Sequence, residues 1–308
     1  MKISIIIPVF NAEKTICLLV DEVSKELSAF DYEIVLINDG SKDKSAGLCE
    51  KLSLKSENIV FISLHKNFGE HNAVMCGLNY CSGDYAIVID DDFQNPPSEI
   101  IKLYNEANKG YDVVYSKYLE KKHNVFRNLG SRFNNFLASI LLPVPKNLYL
   151  SSFKCISRDI INEINKYKGP FPYIDGLIFR VTNNYSTVIV EHKDSLIPKS
   201  NYTFHKLVSL WMNMLLNFSV LPLRIFTISG FIVFVLGVIL SLFFIIDKLF
   251  FGEPAGWTSI IIAILTFSGF QIVFLGLISE YLGKQYLDQN KTPQWSIKKL
   301  INAKKDIS

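Results

Sequence analysis

The sequence predicts an α/β domain, with a mainly parallel sheet and helices on both faces, followed by a two-helix transmembrane hairpin. Three observations carry this. Between residue 2 and about residue 117, short β-branched runs alternate with helical patterns, the signature of a sheet wound with crossover helices. The apolar run Tyr85-Ala86-Ile87-Val88-Ile89 ends abruptly in Asp90-Asp91-Asp92, where an open α/β sheet places its ligands. Near the C-terminus, residues 225–246 and 257–278 are uncharged stretches of 22 residues each, and each is long enough to cross a hydrocarbon core of about 30 Å.

The strands are expected at 3–9, 32–38, 59–64, 85–89 and 112–116, and the helices at 12–27, 43–54, 70–80 and 97–109. The apolar start at 3–9 is too short for a secretory signal, contains Pro8 and lacks a small-residue cleavage site before Asn11-Ala12-Glu13-Lys14. The turn after this first strand, Pro8-Val9-Phe10-Asn11-Ala12-Glu13, has no glycine, which points away from a dinucleotide fingerprint. Residues 123–142 carry apolar residues at helical spacing with Arg127 and Arg132 among them, a helix suited to a core or to a lipid surface. Residues 143–200 suggest mixed short strands, a helix near 159–166 and loops around Pro170, Pro172 and Pro198.

The expected organisation is a catalytic-type domain over 1–203, a juxtamembrane amphipathic helix over 204–224, spans at 225–246 and 257–278, and a basic tail over 279–308. Arg224 precedes the first span and six lysines follow the second, so the positive-inside rule puts both ends in the cytoplasm and the short link outside. Two buried helices of a soluble protein are the competing reading. Net charge is only +3, which gives no electrostatic case for nucleic acid. Five scattered cysteines suit a reducing compartment, and five dispersed histidines suggest no zinc spacing.

Three adjacent carboxylates repel one another and are costly at a strand end unless a cation sits among them. Side chains at i and i+2 of an extended segment point the same way, so Asp90 and Asp92 can share one metal, with Gln94 continuing the phase through a neutral carbonyl. Hard oxygen ligands suit Mg²⁺ or Mn²⁺, which keep positions open for phosphate oxygens. An acidic turn punctuated by Pro96-Pro97 is the plainer alternative.

Ser4-Ile5-Ile6-Ile7-Pro8-Val9-Phe10-Asn11, Ile37-Asn38-Asp39-Gly40-Ser41 and Asp90-Asp91-Asp92-Phe93-Gln94-Asn95-Pro96-Pro97 resemble the three signature segments of family 2 glycosyltransferases. With Lys66-Asn67-Phe68-Gly69 and a two-span tail ending Glu280-Tyr281-Leu282-Gly283, the chain is similar to polyprenyl-phosphate glycosyltransferases over nearly its whole length. Asn95, where many members have Asp, is shared with the aminoarabinose branch.

The resemblance implies a Rossmann-like nucleotide-diphospho-sugar transferase domain at the cytoplasmic face of a bacterial inner membrane. It implies inverting transfer from a UDP-linked nucleotide sugar to polyprenyl (undecaprenyl) phosphate in a lipid bilayer, and a homotetramer. Donor binding falls to Pro8, Phe10, Asn11, Glu13, Asp39, Gly40, Ser41, Asn67 and Asp91. Phe10 can stack on the base, and Asp39 can accept a hydrogen bond from the uracil imide. A capped helix start is the simpler account of Asn38-Asp39-Gly40-Ser41. Asp90, Asp92 and Gln94 would bind the metal, and Asp90, Asp92 and Arg127 would be catalytic. Lys117, Lys121, Arg127, Arg132, Lys199 and Tyr202 would hold the acceptor phosphate, although Ser195, Pro198 and Asn201 depart from the family's second basic segment. A lipid monophosphate, with a second pKa of about 6, is already nucleophilic and needs no base. A hydroxyl acceptor would need one, with Asp91 or Asp175 as candidates; a non-catalytic membrane scaffold is the remaining alternative.

Overall fold

A computed structural model describes residues 1–118, 148–191 and 257–303, with six single positions between 228 and 250. The expected helices at 123–142 and 204–224 lie outside the described residues, as do Lys121, Arg127, Arg132, Lys199 and Tyr202 and nearly all of 225–246. The chain divides into two compact units, Met1–Thr203 with Lys291–Ser308, and Phe204–Asn290.

The first unit begins β1 (Lys2–Val9), α1 (Ile16–Glu26), β2 (Asp31–Asn38), α2 (Ser45–Lys55), β3 (Ile59–Leu64), α3 (Glu70–Tyr80) and β4 (Tyr85–Val88). A 3-10 turn (Pro97–Glu99) leads into α4 (Ile100–Ala107) and β5 (Val113–Tyr118). After the undescribed stretch come β6 (Lys154–Ser157), α5 (Arg158–Ile164), α6 (Ile174–Val181) and β7 (Tyr185–Val190). The sheet is completed from the C-terminus by β8 (Ile297–Ile301), giving the order β7-β5-β6-β4-β1-β2-β3-β8.

Strands β4, β1, β2 and β3 run parallel, as the alternation predicts, and β5 pairs parallel with β7. Ile3, Ile5, Ile6, Ile7 and Val9 are all fully buried, so β1 is covered on both faces and shows no apolar/polar alternation. Its odd-numbered side chains share a core cluster with Ile16, Leu19 and Val23 of α1 and Ile100 and Leu103 of α4. On the opposite face α3 lies close in: a Cβ on Gly77 would stand 2.6 Å from Ile6 Cγ2 and 2.7 Å from Ile37 Cδ1. Glycine in mid-helix costs about 1 kcal/mol against alanine, and here it permits that approach.

Several elements differ from expectation. Helix α1 starts at Ile16, because Phe10–Thr15 form a turn in which the Ala12 carbonyl accepts the N–H groups of Thr15 and Ile16. Strand β6 inserts antiparallel between β4 and β5, and α6 was not expected from the sequence. The region after 279 is not a single tail: helix continues to Gln289, and β8 then pairs antiparallel with β3. Lys299 on β8 bonds Glu50 of α2 at 2.5 Å, and Asn302 Nδ2 donates to the carbonyls of Ser53 and Ile59 at 2.7 and 3.0 Å.

The second unit contains α7 (Trp257–Gln289), a helix of 33 residues. Among the described residues, no helix is long and apolar enough to cross a membrane. In sequence, α7 carries no charged residue before Glu280, and Ile261, Ile262, Ile272 and Val273, whose side chains are not among those described, are apolar.

Candidate active site

The site is set by strand register. Val9 of β1 is level with Asn38 of β2, and Ile6 is level with Val88 of β4. The Asp39 N–H continues the β1–β2 ladder to the Val9 carbonyl at 2.9 Å, and the Ile89 N–H reaches the Ile6 carbonyl at 3.0 Å. The turns after β1 and β2 and the three aspartates after β4 therefore open at one carboxyl edge. Pro8, which lacks an N–H, is tolerated because β1's register with β4 stops at Ile6.

The β1–β2 side is a lattice of hydrogen bonds in which side-chain oxygens accept backbone N–H groups. The Asn11 N–H donates to Ser41 Oγ at 3.0 Å, the Lys42 N–H to Asn11 Oδ1 at 2.9 Å, and the Lys44 N–H to Glu13 Oε2 at 3.1 Å. Asn11 sits at φ 56°, a left-handed conformation that asparagine tolerates better than most residues. Gly40 has φ +67°, and a Cβ there would stand 2.5 Å from the Asn67 backbone nitrogen, so no other residue fits. Phe10 is 46 % exposed, free to stack on a planar ring.

Asp39 has backbone partners that the sequence does not show. It is 3 % exposed, and its two carboxylate oxygens accept the N–H groups of Phe68 at 2.7 Å and Gly69 at 2.9 Å. Burial pushes its pKa up against those two bonds. Its first task is to anchor the Lys66–Gly69 loop to the end of β2, and a base can use only its remaining lone pairs. Asn67, in that loop, is exposed.

The β4 side is short of positive charge. Asp90 Oδ2 accepts the Ser152 hydroxyl at 2.5 Å, Asp91 Oδ2 accepts the Phe10 N–H at 3.0 Å, and Asp92 Oδ1 accepts the Gln94 N–H at 3.0 Å. Between Asp92 and Gln94, Phe93 holds a left-handed φ of 61°, strain of about 1–3 kcal/mol for such a bulky residue. Burial, then the neighbouring carboxylates Glu70 and Asp92, push Asp90 up to about 7. Burial likewise lifts Asp91 to about 7, with Asp90 and Asp92 adding to it against the Phe10 bond. Both are partly exposed, so their carboxylates can be reached from solvent.

Behind these aspartates lies a charge network that the sequence reading did not assign. Lys154 of β6 is 4 % exposed and pairs with Asp175 of α6, itself 5 % exposed. The Tyr115 hydroxyl donates to the same Asp175 Oδ1 at 2.9 Å. The legible signal was a lysine within the apolar run Phe153-Lys154-Cys155-Ile156, since a lysine is rarely buried unless paired. Lys117, expected to meet the acceptor, is exposed near the end of β5, one residue before Tyr118, whose hydroxyl donates to Asn95 Oδ1 at 2.8 Å.

The donor set suits a small, hard cation: carboxylates whose repulsion and burial are not offset by nearby cations. Among the described residues, no group of three or more His, Cys, Asp or Glu side chains could hold a metal by itself. Asp90 and Asp92 could supply two carboxylates to an ion whose remaining positions are filled by phosphate oxygens and water.

The sequence profile of glycosyl transferase family 2 matches residues 4–164, which contain both edges of this site. The chain belongs to glycosyl transferase family 2. The transferase is 32 % identical over 308 residues to an undecaprenyl-phosphate 4-deoxy-4-formamido-L-arabinose transferase of Pseudomonas fluorescens (strain SBW25), covering 97 % of this chain and 89 % of that one. It is 30 % identical over 310 residues to the protein of the same name from Proteus mirabilis (strain HI4320), covering 99 % and 95 %. The resemblance to the polyprenyl-phosphate branch therefore holds across the transferase. Its fold matches a crystal structure of glucosyl-3-phosphoglycerate synthase from Mycobacterium tuberculosis in complex with Mn²⁺, uridine diphosphate and phosphoglyceric acid. That match has a TM-score of 0.52 at 20 % identity, over 68 % of this chain and 75 % of that one.

Proposed function

We propose that this glycosyltransferase moves a sugar from a UDP-sugar to polyprenyl phosphate, with inversion, at the cytoplasmic face of the membrane. The observation that carries the reading is the under-neutralised Asp90–Asp92 group facing a preformed turn that presents Phe10. The full-length relatives whose names specify undecaprenyl phosphate support the acceptor, and the Mn²⁺ and uridine diphosphate in the structural neighbour support the donor class. Asp90 and Asp92 would hold Mg²⁺ or Mn²⁺, which when bound offsets the charge of the leaving diphosphate. Phe10 stacks on the base, while Asn11 and Ser41 keep the turn in shape.

The state of Asp175 supports a phosphate acceptor over a hydroxyl. A base must be free to take a proton, and this buried carboxylate is already committed to Lys154 and the Tyr115 hydroxyl. Asp91, with one oxygen bonded to the Phe10 backbone and its pKa raised to about 7, is the carboxylate that a hydroxyl acceptor would call on. A phosphate dianion needs neither. Lys117 is the described member of the expected phosphate contacts; Arg127, Lys121, Arg132, Lys199 and Tyr202 complete the proposal from sequence.

Strand β8 supports a hairpin topology. The chain leaves the first unit after Thr203 and returns to it at Lys291, so a membrane excursion by the second unit must cross an even number of times. Two crossings, at 225–246 and within α7, satisfy this and place the 247–256 link on the far side. Cysteines introduced at Glu253 and near Ser308 should label from outside and inside, respectively, in sealed cells; outside labelling near Ser308 would reject the topology.

The reaction is tested with full-length protein in lipid nanodiscs, undecaprenyl phosphate, Mg²⁺ or Mn²⁺ and a panel of UDP-sugars. Uridine diphosphate release and the lipid product are both measured. Metal-dependent formation of one glycosyl phospholipid is expected. Release without lipid product would remove the acceptor assignment, and no release from any UDP-sugar would remove the donor assignment.

A further inference from the structure

The antiparallel insertion of β6 brings the chain before it onto the aspartates. Lys154 of β6 is level with Val88 of β4 on one side and with Tyr115 of β5 on the other. In antiparallel strands one chain advances as its neighbour retreats. Carried two residues past Val88, the first register sets Ser152 opposite Asp90; carried three residues past Tyr115, the second sets Ser151 opposite Tyr118. The Ser116 N–H, which reaches the Phe153 carbonyl at 3.1 Å, shows the β5–β6 ladder running on in that register. Both contacts form: the Ser152 hydroxyl donates to Asp90 Oδ2 at 2.5 Å, and Ser151 Oγ lies 3.0 Å from the Tyr118 hydroxyl.

Residues Asp90–Asn95 are thereby held at both ends. Buried Asn95 accepts the Tyr118 hydroxyl at 2.8 Å, and Ser116 Oγ donates to Ser151 Oγ at 2.7 Å. A tyrosine hydroxyl has one proton, spent here on Asn95, so Ser151 is the donor in its contact with Tyr118. The donors therefore run one way, from Ser116 through Ser151 and Tyr118 to Asn95. Between the two clamps stands Phe93 with its left-handed φ.

Each of the three aspartates keeps one oxygen on a protein donor: Asp90 Oδ2 on Ser152, Asp91 Oδ2 on the Phe10 N–H, and Asp92 Oδ1 on the Gln94 N–H. Two of these donors are backbone groups. The Ser152 hydroxyl is the side-chain donor of the set, and it leaves Asp90 Oδ1 to a ligand. A carboxylate with one oxygen engaged suits a small octahedral cation, which takes one oxygen from each ligand. Ca²⁺, larger and satisfied by about six to eight oxygens, gains when a carboxylate offers both.

We propose that Ser152 is a positioning residue that makes Asp90 a one-oxygen ligand and so selects a small octahedral cation over Ca²⁺, while Tyr118 and Ser151 fix the far end of the same loop. The assignment rests on the metal-dependent reading above. The hydroxyl keeps the carboxylate plane from turning to present both oxygens to one ion. Its own place is set by the β4–β6 register, so the pairing of β6 reaches the cation through a single side chain.

The test is Mn²⁺ binding to the full-length protein in detergent with uridine diphosphate present, read from the paramagnetic resonance signal of free Mn²⁺. Ca²⁺ is then added as competitor. Neither acceptor nor turnover is needed. Wild type is expected to prefer Mn²⁺ over Ca²⁺ by at least about tenfold. Ser152→Ala should weaken Mn²⁺ binding about tenfold and bring the preference over Ca²⁺ to within about threefold, because the freed Oδ2 can join the larger ion. Ser152→Gly, which also lacks the hydroxyl, should behave alike. Ser152→Thr keeps a hydroxyl and should stay within about threefold of wild type in both measures. Tyr118→Phe should weaken Mn²⁺ about threefold with the preference unchanged, since Asp90 stays engaged. Thermal unfolding without metal shows that each variant is folded.

Wild-type affinity and preference in both Ser152→Ala and Ser152→Gly would overturn the proposal. So would weaker Mn²⁺ binding with an unchanged preference, the result of a purely structural role in the β4–β6 pairing. Wild type that binds Mn²⁺ and Ca²⁺ equally would reject the selection and leave the metal-dependent transferase reading standing. Wild type that binds neither would reject both.

Discussion

The two edges of the site are built on opposite electrostatic plans. At the ends of β1 and β2, nearly every polar group is satisfied by a neighbour: Asn11 by Ser41 and Lys42, Glu13 by Lys44, Asp39 by Phe68 and Gly69. After β4, three adjacent carboxylates stand with no cation paired to any of them among the described residues, and Asp90 and Asp91 are pushed up in pKa by burial and by neighbouring carboxylates. The first edge is a mould, complete before ligand arrives and rigid because its bonds are mutual. The second is an incomplete charge set, finished by what binds. On the proposed reading, nucleotide shape would be read by a preformed surface, and catalysis would wait on the cation that fills the charge deficit.

The comparison is broken most severely at the carboxylates. Asp92→Ala should lower turnover by about a thousandfold or more, because the charge on the leaving diphosphate is no longer offset. Its unfolding midpoint should stay at or above that of wild type without metal, since one repelling carboxylate is gone. Steady-state rates and thermal scans in detergent check both; metal-dependent turnover at wild-type level would remove Asp92 from the site.

At the other edge the expected damage is structural. Gly40→Ala forces a Cβ against the Asn67 backbone at a positive φ and should cost about 2–4 kcal/mol of stability. Affinity for uridine diphosphate should fall with it. A variant with unaltered unfolding and nucleotide binding would show that the mould is softer than its hydrogen bonds suggest.

Acid distinguishes the edges next. Asp90 and Asp91, raised to about 7, hold protons in the metal-free fold that the unfolded chain releases near pH 4. Stability without metal should therefore decline as pH rises from about 4 to about 7, the reverse of an ordinary salt-bridged aspartate. Protons also compete with the cation: an Asp90 about half ionised at pH 7 and about a tenth ionised at pH 6 gives roughly fivefold weaker Mn²⁺ binding at the lower pH. Calorimetric titration at the two values measures it, and equal affinities would place the metal away from Asp90.

The smallest effect belongs to the redundant lattice. Ser41→Ala removes the bond from the Asn11 N–H and a 3.5 Å contact with the Val9 carbonyl. It should cost about 1 kcal/mol, because Asn11 is still held through Lys42. Chemical denaturation checks this, and a loss as large as that of Gly40→Ala would make Ser41 the keystone of the turn.

Sequence made legible what local pattern controls. The alternating strands and helices up to residue 117 could be read because each β-branched run is buried on both faces. Asp90–Asp92 could be read because charge follows an apolar strand without transition. Asp39 was readable as a strand-end carboxylate but not as the anchor of Phe68 and Gly69, since its partners are backbone groups of a distant loop. Lys154 and Asp175 become neighbours only because β6 inserts antiparallel beside β4, a long-range pairing that local pattern does not encode. Strand β8, reading Ile297-Lys298-Lys299-Leu300-Ile301, looks like a basic tail until its apolar positions meet the edge of β3.

That last strand imposes an order on biosynthesis. The ribosome makes β8 after every residue of the second unit, so the sheet stays one strand short, with the β3 edge unpaired, throughout synthesis of that unit. An open edge is a template for wrong partners, and a chain truncated anywhere before Ile297 keeps it permanently. Strand β8 acts as a completion seal: the eight-stranded sheet is finished only in molecules whose second unit has already been made.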